Sequence, residues 1–153
     1  MIQRVQSLYL ALSMIASVYC MSSCVGRFFS KDGERVADMY NLWITNAEDG
    51  THGFFPFALF VILLLASTAT LGDIFLYMHR TVQMRVASFA ILLMVGWYVV
   101  FGIFVYMIGS DLNLSFRPHW TAVLPAVSIV LLYLAHHRIH KDEMLVRSLD
   151  RLR

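Results

Sequence analysis

Residues Val86 to Ser110, VASFAILLMVGWYVVFGIFVYMIGS, form a run of twenty-five residues without one charge. At ~1.5 Å rise per residue, a helix of that length outspans the ~30 Å hydrocarbon core of a bilayer. A water-soluble domain of this size has no use for so long an unbroken apolar run. The composition agrees: 59% of the 153 residues are hydrophobic, 14% are charged, and the mean hydropathy is +0.66. Soluble domains carry ~25% charged residues, so the chain falls in the membrane class. Its length suits one small helical bundle. A net charge of +2 gives no ground for a nucleic-acid partner.

Three further apolar runs join this one, giving expected spans at about 7–25, 54–78, 86–110 and 120–137. The first, SLYLALSMIASVYCMSSCV, competes with a signal peptide. Its thin basic flank, Arg4, and its length favour a retained helix. Residues 27–53 are polar, and Asp32-Gly33 between RFFSK and ERVADMYNLWIT predicts a short hairpin through a type I′ turn. Tyr40 and Trp43 suit the headgroup level. Pro56 is expected in the first turn of the second span, where a missing N–H costs nothing. Pro125 is expected inside the fourth span, where it would kink the helix.

Four spans put both termini on one side, together with Arg4, Arg80, Arg85, Arg138, Lys141, Arg147, Arg151 and Arg153. The other side has Arg27, Lys31, Arg35 and Arg117, and six of the ten acids. The positive-inside rule therefore places both termini in the cytoplasm. The expected fold is all-α, a four-helix transmembrane bundle in one domain, 1–153. A small extracytoplasmic hairpin-like cap covers one end, and a cytoplasmic amphipathic C-terminal helix, 138–153, follows the last span.

Asp73 is the one acid within a hydrophobic run, and with Thr70 it is the candidate intramembrane polar site. Counted from Phe54 it lies ~28 Å along the helix, near the cytoplasmic boundary. It is expected there to reach water or to pair with Arg80 or Arg85. His136 and His140 are four apart, metal-ligand spacing, and His79 ends the neighbouring span. Without an HExxH motif or a nearby second carboxylate, these histidines are expected at the membrane boundary and no metal is assigned. Cys20 and Cys24 invite comparison with four-span thiol oxidases, which need a second cysteine pair that this chain lacks. No histidine lies mid-span for haem, and no Ser-His-Asp spacing is present, so no cofactor is expected and a non-enzymatic role is favoured. Gly96, Gly102 and Gly109 allow close helix approach. Arg147, Leu149 and Arg151 mark the tail as a candidate docking helix for a partner.

The opening MIQRVQSLYL and the closing HKDEMLVRSLDRLR resemble a family of uncharacterised small four-span membrane proteins found mainly in Bacteroidota, a domain of unknown function. The resemblance spans nearly the whole chain and implies the topology and membrane location, without an activity. The triple histidine before Lys141 departs from that pattern.

The function expected first is a non-catalytic accessory or scaffold subunit of an inner-membrane assembly, in contact with lipid and with a membrane-protein partner or further copies of itself. The second is a small transporter or ion-translocating unit lined by Thr68, Thr70 and Asp73. For this reading a hydrated cavity would speak in favour and a dry bundle against. The third is a quinone-linked thiol redox protein using Cys20 and Cys24.

Overall fold

The computed structural model describes residues 3–76 and 80–150. His79 and Arg151 lie outside the described residues, as do the side chains of Arg80, Arg147 and Leu149. Four helices, α1 (Gln3–Ser22), α2 (Phe57–Phe75), α3 (Arg80–Leu112) and α4 (Leu124–Asp150), are long and apolar enough to cross a membrane. They run up and down in a ring: α1 packs on α2 and α4, and α3 packs on the same two neighbours. Buried serines join α1 to α4. Ser17 and Ser128 hydroxyls are 3.2 Å apart, and the Ser128 hydroxyl donates to the Ser13 carbonyl at 3.2 Å. Ser13 and Ser17, four apart, share a helix face, so this polar seam was written into the sequence.

The fold is not all-α. Strands β1 (Cys24–Phe29), β2 (Arg35–Tyr40), β3 (Ile44–Asn46), β4 (His52–Gly53) and β5 (Ser115–Pro118) form one antiparallel sheet in the order β4-β3-β2-β1-β5. The β1–β2 hairpin turns through Ser30–Gly33, where the Gly33 N–H donates to the Ser30 carbonyl at 3.0 Å. It is not the expected type I′ turn, which needs positive φ at both Asp32 and Gly33: Gly33 alone, at φ +82°, is left-handed. The fifth strand comes from the loop between α3 and α4, which the expected small hairpin did not include. Its pairing with β1 bridges some ninety residues of chain, and so leaves no local mark in the sequence. Phe28 and Phe116 face inward as cross-strand partners, 5.0 Å between ring centroids, and alternation sends Arg27 and Arg117 outward.

The sheet packs beside the upper turns of α3. Val25, Phe28, Ala37 and Met39 share one core with Trp97, and Phe101, Phe104 and Ile108 pack against it. The Phe116 ring lies so close over Gly26 that a Cβ there would meet it at 2.1 Å.

Helix ends also differ from expectation. α1 stops at Ser22 because Cys24 and Val25 enter the sheet. Pro56 sits at the N-cap of α2. Pro125 is the second residue of α4, where a missing N–H breaks no ladder bond, so it does not kink the interior of the span. A 3-10 turn, Trp120–Val123, precedes it. The Tyr98 hydroxyl then donates to the Ala122 carbonyl at 2.7 Å and accepts from the Ala126 N–H at 3.0 Å. It stands where a direct i to i+4 bond would otherwise close the first turn.

Candidate functional site

Asp73 lies in the last turn and a half of α2, and it is completely buried. Among the described residues neither carboxylate oxygen has a hydrogen-bond partner, and Arg85 is exposed. Burial overturns the expectation that Asp73 reaches water, and the exposed Arg85 is not bonded to it; the other expected partner, Arg80, has its side chain outside the described residues. The reason for the burial is the short connection to α3. That helix already begins at Arg80 and folds back beside α2, so the Gln83 side chain caps the end of α2 by donating to the Asp73 carbonyl at 3.2 Å. Thr70, one turn before Asp73, is also fully buried and donates to the Ala66 carbonyl at 2.8 Å. Thr68 is exposed and bonds back to Leu64, so it shares no lining with Thr70. On the same flank of the bundle, a cluster of Leu10, Ala90, Leu132 and Ala135 is closed to solvent, with Ala69 and Ile74 of α2 packed against it. An unpaired carboxylate in such surroundings is costly.

The opposite end gathers its polar groups into satisfied pairs. Asn41, fully buried after β2, donates to the Cys20 carbonyl at 2.7 Å and accepts from the Trp97 indole N–H at 3.0 Å. Trp97 stacks on Phe101 with ring centroids 4.9 Å apart and planes 9° apart. One amide thus ties the sheet to α1 and α3 at once. The sequence carried half of this signal, since a Trp in the middle of an apolar run needs a partner for its N–H. Asn41 itself was indistinguishable from other loop residues.

Cys20 is in the core and Cys24 is in β1, and both thiols are free. The Cys24 thiol donates to the Gly26 carbonyl at 3.2 Å, and burial pushes its pKa above that of an ordinary cysteine. That opposes thiolate reactivity. His136 is half-buried and His140 is exposed, one turn apart on α4. Among the described residues no three His, Cys, Asp or Glu side chains come together as a metal cluster.

The glycines of α3 do not serve contacts within the chain. A Cβ at Gly96 or Gly102 would meet nothing within 4 Å, and at Gly109 it would only touch the Leu114 carbonyl at 3.4 Å. In the apolar eighteen-residue stretch that marks each span, 11% of α3 is fully buried, against 28%, 33% and 33% in the other three helices, so α3 is the least enclosed of the four.

Four apolar helices closed at one end by a small sheet define a membrane-type bundle with two buried polar centres. The chain belongs to the family described as Domain of unknown function (DUF4293), which it matches over residues 2–152. No curated protein matches it.

Proposed function

We propose that this chain is a non-catalytic subunit of a larger assembly in a bacterial inner membrane, docked through α3. The supporting observation is the uncovered face of α3: Leu92, Val95, Val99, Gly102 and Tyr106 are all exposed and recur at coiled-coil spacing. Gly102 within that seam leaves room for a partner helix to approach closely. In this reading both termini are cytoplasmic, by the excess of basic residues at the end opposite the sheet, and the sheet is extracytoplasmic. Single-cysteine variants at Val99 or Gly102, crosslinked in the native membrane, test it. A defined crosslinked species, protein partner or second copy, supports the proposal; lipid-only labelling at both positions counts against it.

The buried carboxylate favours a second reading, an ion-translocating unit with Asp73 as its charge-binding group. The full burial of Asp73 and Thr70 weighs against an open path in this conformation. Proteoliposomes that collapse a cation or proton gradient, and lose that ability in Asp73→Asn, would make it the better reading. Flux unchanged by the substitution removes it.

A further inference from the structure

The outer face of the sheet carries an arrangement that neither reading uses. Arg27 on β1 and Arg117 on β5 are direct cross-strand partners. Like charges placed opposite each other in a sheet repel. The one acid in the same row, Asp38 on β2, is Arg27's partner on the other side. It is already engaged: Arg35 donates to it through Nε at 2.9 Å and through Nη2 to its second oxygen. Irregular register between Phe28 and Phe29 brings Arg35 into this position, as a bulge re-aims a side chain. Arg27 forms a single ion-pair contact with Asp38, 3.5 Å from Nε to Oδ1, and among the described residues this buried Nε has no hydrogen-bond partner. Arg117 is held over the Phe29 ring, 4.8 Å from its centroid, instead of by a carboxylate. Arg27 and Arg117 thus stand side by side on β1 and β5, one leaning to Asp38 and the other held over Phe29, and neither guanidinium fork is closed by a bidentate carboxylate.

We propose that Arg27 and Arg117 form an oxyanion-binding site on the sheet, with a phosphate-type group as ligand. The guanidinium fork matches the geometry of phosphate oxygens, which accept two parallel hydrogen bonds from it. The cap as a whole is not basic: its four basic residues are outnumbered by Asp32, Glu34, Asp38, Glu48, Asp49 and Asp111. Attraction is thus local to this pair and selects a compact anion over an extended polyanion. The phosphate can belong to a soluble molecule or to a lipid headgroup at the membrane surface.

The test is titration of the full-length protein in neutral detergent with inorganic phosphate, by calorimetry. In parallel, native mass spectrometry measures phosphatidylglycerol retained from nanodiscs. Arg117→Gln sits on an exposed edge strand and should leave the fold intact; Arg27→Gln provides the second variant, and Arg138→Gln, on α4, the control. Phosphate binding that weakens tenfold or more in both variants, and is unchanged in the control, supports a soluble ligand. Retention of phosphatidylglycerol that depends on Arg117, without phosphate binding, supports the lipid headgroup. Arg117→Lys should keep part of the affinity in either arm, because it keeps the charge and loses the fork. Binding undiminished in Arg117→Gln, or no Arg117-dependent binding in either arm, overturns the proposal.

Discussion

The two ends of the bundle solve the burial of polar groups in opposite ways. At the sheet end Asn41, Trp97, Thr121 and Tyr98 each find a partner on a different element, and the Thr121 hydroxyl donates to the Cys24 carbonyl. At the other end Asp73 is buried, with both oxygens unpartnered among the described residues. Among the described residues the only other unpartnered buried side-chain atom is Arg27 Nε, in a side chain that is 43% exposed and beside an acid. Strands and loops can place a backbone carbonyl or an amide where a polar group needs it. Four apolar helices offer few such groups, because their backbone is already hydrogen-bonded to itself. The sheet end is therefore where polar groups hold the structure together, and the helix end is where one costs stability.

The largest expected effect breaks the first half of that contrast. Trp97→Ala should cost about 3–5 kcal/mol by emptying the shared core. Asn41→Ala should cost about 1–3 kcal/mol by stranding the indole N–H and the Cys20 carbonyl. Unfolding titrations in mixed micelles measure both, and a double variant separates packing from the hydrogen bond. If Asn41→Ala is neutral, this amide does not anchor the sheet. Gly26→Ala should cost about 1–3 kcal/mol, because Phe116 is wedged between Phe28 and Phe101 and has little freedom to move aside. Retained stability there would mean that β5 sits more loosely on β1 than its register implies.

Asp73→Leu sharpens the other half. It should raise stability by about 1–2 kcal/mol, since it removes a buried polar group that has no partner to lose. A marked loss of stability instead would show that Asp73 is satisfied in the membrane, and the contrast between the two ends would fail. The smallest effect concerns Cys24. Its raised pKa means less thiolate at pH 8 than a free cysteine has, so maleimide labelling should lag behind a peptide control in the folded protein and catch up on unfolding. As pH rises the labelling rate should keep increasing after the control has levelled off. Equal rates at pH 8 would place the thiol in open solvent.

The four spans were legible because hydrophobic length is a property of consecutive residues: Val86 to Ser110 can do little else in water or lipid. The reversal near Asp32-Gly33 was legible for the same reason, since a turn needs only its own residues, but its type was not: Gly33 alone takes the left-handed conformation that a type I′ turn asks of both residues. Asp73 and Thr70 stood out as chemistry, but their state did not. Whether a carboxylate one turn from a helix end meets water or a wall depends on where the next helix folds back. Arg117 showed nothing of its role, because its significance lies in facing Arg27 from a strand formed ninety residues later.

The sequence by itself determined four stretches long and apolar enough to cross a membrane as helices, and which residues are too polar to lie at random within them. The tertiary structure alone decided that the fifth strand joins the sheet, that Asn41 reaches Trp97, that Pro125 begins a helix instead of bending one, and that Asp73 is fully buried. The division follows from range. Transfer of a helix to lipid sums over neighbours in sequence, whereas pairing, register and burial depend on partners that only the fold brings together.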